Sequence, residues 1–186
     1  FTSCGPDLLK QVQGRGFEVF LDLKFHDIPN TVAKVVKAAA DLGVWMVNVH
    51  ASGGIRMLEA AKESLANHQK APLLIGVTVL TSSTQEELQQ LGINRSPAEQ
   101  VLSLAGMVKG AGLDGVVSSP LEAQMIKEEV SQDFITVCPG IRFADSQGSI
   151  KNQQDQKRIA TPDWALANGC DYIVMGRAIT QADDPL

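Results

Sequence analysis

Six short apolar runs recur along these 186 residues, each separated from the next by a segment of helical character. Strands alternating with helices point to a parallel sheet built from β–α units. The runs are Val19–Phe25, Trp45–His50, Leu73–Leu80, Gly115–Ser118, Phe134–Cys138 and Tyr172–Met175. Leu73–Leu80 is almost continuously apolar, as a strand covered on both faces must be. A short helix over about Asp7–Gln13 precedes the first strand. Asn30–Leu42 carries Val32, Val35, Val36, Ala39 and Leu42 at helical spacing, with Gly43 placed to cap it. Ser52-Gly53-Gly54 leads into a helix ending near Asn67. Thr84 with Glu87, and Ser96 with Glu99 around Pro97, form capping boxes, and Gly112 stops the second of these helices. Ser119-Pro120-Leu121-Glu122 repeats the pattern. Pro139–Ile159 is a long polar loop, and Thr161-Pro162-Asp163 opens a helix that Gly169 closes.

Two architectures accommodate such a series: an open doubly wound sheet and a (β/α)8 TIM barrel. The barrel takes about 250 residues and eight strands. With six strands and a first residue Phe1, the expectation is one barrel domain over residues 1–186. Its first two strands would lie upstream and its last helix beyond Leu186.

Composition narrows the function. Hydrophobic residues make up 44% and charged residues 20%, enough for a globular core. A net charge of −5 disfavours nucleic acid and acidic membranes as partners, and 5% aromatics are too few for base-stacking platforms. No stretch reaches the ~20 apolar residues of a membrane span. Cys4, Cys138 and Cys170 are odd in number and far apart, so they form neither a metal knuckle nor a disulfide framework. They read as reduced core thiols of a cytoplasmic protein. No His/Cys/carboxylate cluster has structural metal spacing.

The chemistry gathers at strand ends, where barrels build their sites. Asp22-Leu23-Lys24-Phe25-His26-Asp27 closes the first strand. On a regular strand Asp22 and Lys24 would share a face, roughly 6.5–7 Å apart at Cα. That carries an ion pair into a mostly apolar layer. Their attraction, about 2.5 kcal/mol at an effective dielectric near 20, is smaller than the desolvation it must offset. A chain that keeps such a pair uses it for structure or for chemistry, and Asp27 nearby favours chemistry. The second strand ends in Asn48 and His50, the third in Thr81-Ser82-Ser83. The fifth ends in Gly140-Ile141-Arg142 and the sixth in Gly176-Arg177. Two Arg residues, each near a Gly, at the last two strands suit a phosphate. Gln156 could fold over it. Asn48 reads as a tie between strands, His50 as a core histidine, His26 as a residue orienting the loop before Pro29, and His68 as a surface residue.

Asp22-Leu23-Lys24-Phe25-His26-Asp27-Ile28-Pro29-Asn30-Thr31 resembles the signature of the orotidine 5′-phosphate decarboxylases. The likeness continues through Val49-His50-Ala51-Ser52-Gly53-Gly54, Val79-Leu80-Thr81-Ser82, Pro139-Gly140-Ile141-Arg142, Asp155-Gln156 and Gly176-Arg177, and is closest to the bacterial branch. The resemblance implies a homodimeric (β/α)8 barrel that converts orotidine 5′-monophosphate to UMP with no metal and no organic cofactor. By position, Asp22 would lie beside the substrate carboxylate and Lys24 would protonate C6. Asp27 would reach into the partner's site. Thr31 and Thr81 would bind substrate, and Arg142, Gln156, Gly176 and Arg177 would hold the 5′-phosphate. Two departures stand out. The family's Asp and Lys on its first two strands have no counterpart here, so these residues alone are expected to be inactive. Phe143 replaces a usual Pro in a longer loop. The alternatives are a metal-dependent sugar-phosphate lyase of the same superfamily and a non-catalytic phosphate-binding barrel.

Overall fold

A computed structural model of the chain describes residues 1–143, 159–182 and 184. Among them, six strands alternate with eight α-helices. The residues group into two compact units, Phe1–Val77 with Met107–Asp114, and Thr78–Gly106 with Gly115–Leu186.

The first unit holds α1 (Pro6–Gln13), β1 (Phe20–Phe25), α2 (Pro29–Asp41), β2 (Met46–His50), α3 (Ile55–Glu63) and β3 (Leu73–Val77). Its strands are parallel and lie in chain order: β1 pairs with β2, and β2 with β3 in unbroken register from Met46↔Leu73 to His50↔Val77. β2 is buried almost throughout, as its apolar sequence requires. Helix α2 turns Val32, Val36, Ala39 and Ala40 inward. It ends where Gly43 takes φ 70, a conformation open to glycine at no steric cost. Asp114 joins elements of this unit. Its backbone N–H donates to Leu74 O at 3.0 Å, its carboxylate accepts from Leu74 N–H at 2.8 Å, and Lys62 Nζ lies 3.0 Å from it.

The second unit carries α4 (Gln85–Gln90), most of α5 (Pro97–Gly110), β4 (Gly115–Val117), α6 (Pro120–Glu129), β5 (Ile135–Cys138), α7 (Pro162–Ala167), β6 (Tyr172–Ile173) and α8 (Arg177–Thr180). Here too the strands are parallel and sequential, β4 on β5 and β5 on β6. Three helices of this unit start where the sequence places them. Thr84/Glu87 and Ser119/Glu122 close full capping boxes, and Ser96 and Glu99 exchange the same pair of bonds. Asp171 ties β5 to α6, accepting from Thr136 N–H at 2.7 Å and from Lys127 Nζ at 2.7 Å.

Several boundaries differ from the sequence expectation. β3 stops at Val77 rather than Leu80, and β6 at Ile173 rather than Met175. In each case apolar residues, Val79-Leu80 and Val174-Met175, lie past the strand end, so hydropathy alone overruns it. α3 ends at Glu63, short of Asn67, and the brief helix α8 follows β6. Cys138 and Cys170 are buried thiols, but Cys4 is exposed near the start of the chain, not in a core. Cys170 against its sulfur, and then burial, push the Cys138 thiol far above its ordinary value, so it stays protonated. His68 is only part exposed, with Nε2 3.5 Å from Asp41.

Candidate active site

β1 does not run regularly to its end. Phe20 and Leu21 pair with Met46 and Val47, but the next match is Phe25 with Val49. Three residues, Asp22, Leu23 and Lys24, therefore face the single residue Asn48. Such a bulge re-aims side chains at the place where it occurs. Lys24 takes up the extra length at φ 50, the one non-glycine residue with positive φ among those described. For a residue with a Cβ that conformation costs about 1–2 kcal/mol.

The bulge brings the charges together. Lys24 Nζ lies 2.7 Å from Asp22 Oδ1. Asn48, fully buried, accepts from the Lys24 backbone N–H at 2.8 Å and donates through Nδ2 to the same Asp22 oxygen at 2.6 Å. The pair is not enclosed in an apolar layer, as regular alternation would have it. The Lys24 and Asp22 side chains are 37% and 41% exposed. Water screens an open pair of this kind, whose worth is about 0–1 kcal/mol. The expense here is backbone strain at Lys24, not desolvation of two ions. Strain of this sort collects at functional positions.

Around the pair stand two imidazoles. His26 and His50 have ring centroids 5.4 Å apart, tilted by 42°. Burial, and then the neighbouring His26 and Lys24, hold His50 below the usual imidazole value, with Asp22 opposing them. His50 is only half-buried, not the core histidine its strand suggests, and His26 is exposed and turned to its partner ring. Asp27 is exposed, and its Oδ1 accepts from Ile28 N–H at 2.6 Å. Thr31 lies in the first turn of α2, its N–H on Ile28 O at 3.0 Å.

In the second unit, Thr81 is the fourth residue after the end of β3 and is buried, with 8% exposure. Arg142 is the fourth residue after β5, and Arg177 the fourth after β6. Because Cys138 pairs with Ile173, the two arginine-bearing segments leave adjacent strands in step. Arg142 N–H donates to Ala160 O at 3.0 Å, and its guanidinium donates to Ile141 O at 3.0 Å. Gly176 and Arg177 are exposed where α8 begins. Gln156 lies outside the described residues. Among those residues, no group of three or more His, Cys, Asp or Glu could hold a metal ion, and no helix is long and apolar enough to cross a membrane.

The sequence marks every charged member of this arrangement but understates Asn48. Its visible signal is a lone amide inside the apolar strand Met46-Val47-Asn48-Val49. That the amide meets both Asp22 and Lys24 depends on the bulge, which no local pattern announces.

Sequentially ordered parallel strands alternating with helices define a protein of the β/α class. All 186 residues match the family model described as Orotidine 5′-phosphate decarboxylase / HUMPS family. The chain belongs to that family. Its fold is the (β/α)8 barrel, and the six strands seen here are strands of that fold. Orotidine 5′-phosphate decarboxylase of Saccharophagus degradans is 57% identical over 186 residues, all of this chain and 76% of that protein. The enzyme of the same name from Chromobacterium violaceum is 58% identical, again over this whole chain and 73% of its own length. The solved orotidine 5′-phosphate decarboxylase of Lactobacillus acidophilus aligns at a TM-score of 0.80 and 42% identity, over 97% of this chain and 76% of that one. An uncharacterized conserved protein from Geobacillus kaustophilus aligns at 0.82 and 40%, over 99% and 78%.

Proposed function

We infer that the protein is a carboxy-lyase that converts orotidine 5′-monophosphate to UMP, the step that completes this pyrimidine nucleotide, and that Lys24 supplies the incoming proton. The family covers more than one activity by its name, but relatives 57–58% identical to this chain carry the decarboxylase name. The observation that carries the residue assignment is the Lys24 ammonium fixed 2.7 Å from Asp22 at the end of β1 by a strained backbone.

In this reading the bond from C6 to the carboxylate breaks and CO2 leaves. The electron pair stays on C6, where the nearby ammonium stabilises it. Lys24 then gives its proton to C6, forming the C–H bond of UMP, and regains one from solvent. Asp22 keeps Lys24 in place and stands beside the departing carboxylate. Arg142, Arg177, the backbone of Gly176 and Gln156 hold the 5′-phosphate, whose distant binding energy fixes the reacting geometry. The matching offsets of the two arginines from paired strands support that role. Thr81 and Thr31 bind the rest of the nucleotide. Asp27, exposed beside an exposed Ile28, completes the site of a second copy in a homodimer. Residues 1–186 belong to one barrel domain, no metal or organic cofactor takes part, and the adjacent unbridged thiols Cys138 and Cys170 suit the cytoplasm.

The test is the loss of orotidine 5′-monophosphate absorbance with the full-length protein, with and without EDTA. Turnover should survive EDTA. Lys24→Ala should lower kcat by ~10³-fold or more while UMP still binds. A chelator-sensitive activity restored by Mg2+ would favour a metal-dependent lyase instead. No absorbance change at all would sink the decarboxylase reading, and a Lys24→Ala variant with wild-type turnover would sink the role of Lys24.

A further inference from the structure

We propose that Asn48 is a positioning residue for the decarboxylation, an amide clamp that sets Lys24 and Asp22 for proton transfer. This rests on the reading of Lys24 as the proton donor. Three residues of β1 face Asn48 alone, so the regular ladder is broken where the reacting side chains emerge. The N–H of Lys24 finds the Asn48 side-chain oxygen at 2.8 Å in place of a strand carbonyl. The other end of the same amide donates to Asp22 Oδ1 at 2.6 Å, the oxygen that also receives Lys24 Nζ. Asn48 therefore touches Lys24 through its backbone and the Lys24 ammonium through Asp22. It is fully buried, while the pair it holds is open to solvent. The clamp thus rests in the packed layer and its products face outward.

The orientation of the amide is dictated by its partners. Reversed, it would set an oxygen against the Asp22 carboxylate and an NH2 against the Lys24 N–H. A hydrocarbon of the same shape would leave a backbone N–H without its acceptor. The clamp also matters during the reaction. When Lys24 gives up its proton, Asp22 loses its charged partner but keeps the Asn48 donor, so the carboxylate does not swing away and take the amine with it.

Two substitutions separate a positioning role from a merely structural one. Asn48→Leu keeps the volume and removes both bonds. Its kcat per UMP-titrated site should fall by ~10²-fold, with KM for orotidine 5′-monophosphate within about threefold, because a small displacement of a reacting group is enough. Asn48→Asp keeps the acceptor for Lys24 and, when protonated, also keeps a donor for Asp22. Two carboxylates facing each other share a proton at raised pKa. The Asn48→Asp deficit should therefore be large at high pH and shrink by about tenfold or more as that proton is taken up. The Lys24 amide should exchange slowly with solvent in the wild type and Asn48→Asp, and quickly in Asn48→Leu.

An Asn48→Leu variant with kcat within about threefold of wild type overturns the proposal. So does an Asn48→Asp deficit that does not change with pH, or a wild-type Lys24 amide that exchanges freely. If Asn48→Leu fails to fold, the Asn48→Asp pH profile and the wild-type exchange rate still decide. Failure of the underlying reading has a different signature: the wild type shows no turnover, or Lys24→Ala turns over normally.

Discussion

Two imidazoles, His26 and His50, stand by the Lys24–Asp22 pair, and burial among these neighbours sets the protonation of His50. His50 is half-buried at the end of β2, against the His26 ring. Charging it would require desolvation beside His26 and a fixed ammonium, which Asp22 only partly offsets. The folded protein therefore binds this proton less readily than the unfolded chain does. Above the ordinary imidazole value of about 6.5, neither state carries the proton and the contribution to stability is complete. As pH falls below that value the unfolded chain charges first, and stability is lost until His50 itself charges at its depressed pKa. The expected outcome is a wild-type thermal midpoint that drops between neutral and mildly acidic pH more steeply than that of His50→Gln. Parallel curves for the two proteins would show that His50 is as easily protonated folded as unfolded. Burial comes first among the causes, so salt should change this difference little.

Between elements, a tight constraint in the first unit lies where β3 meets the end of α5. A Cβ on Gly76 would stand 2.4 Å from Val108 Cγ2 and 2.8 Å from Cγ1, and Val108 is fully buried. Neither side can yield, since Gly76 is hydrogen-bonded in register opposite Val49. Gly76→Ala should cost about 1–3 kcal/mol by overpacking. Val108→Ala alone should also destabilise, through a cavity. Together they should cost less than their sum, by ~1 kcal/mol or more, because each relieves the other. Additive losses in urea denaturation would show that the two positions do not touch. This junction also illustrates what the sequence made legible. The alternation of strands and helices, and the helix starts at Thr84, Ser96 and Ser119, follow from local chemistry, so they could be placed in advance. Strand ends could not, because Val79 and Leu80 remain apolar beyond the end of β3. The charged residues near Lys24 stood out by type. Their openness to water and the Asn48 clamp did not, since both follow from a bulge of non-local origin.

For the whole molecule, the proposed homodimer makes a prediction that no single-chain property can mimic. Asp27 and Lys24 lie only three positions apart in sequence, yet the functional reading assigns them to different sites, one in its own subunit and one across the interface. In a two-fold dimer each subunit gives what it receives. Lys24→Ala and Asp27→Ala should therefore each be inactive as homodimers, for unrelated reasons. Mixed in equal amounts after dissociation and reassociation, half of the dimers are hybrids. In a hybrid, one site takes both its Lys24 and its Asp27 from the altered positions and is dead. The other takes Lys24 from the Asp27→Ala subunit and Asp27 from the Lys24→Ala subunit, and so is wild type. One live site in half the dimers amounts to about a quarter of the wild-type activity. If Asp27 instead serves its own subunit, every site in every dimer carries a lesion and mixing restores nothing. Recovery must also grow with the time allowed for subunit exchange and vanish when the subunits are cross-linked beforehand. Activity near a quarter under exchange, and none without it, requires a site built by two chains. An inert mixture that sizes as fully exchanged dimers would return Asp27 to its own subunit.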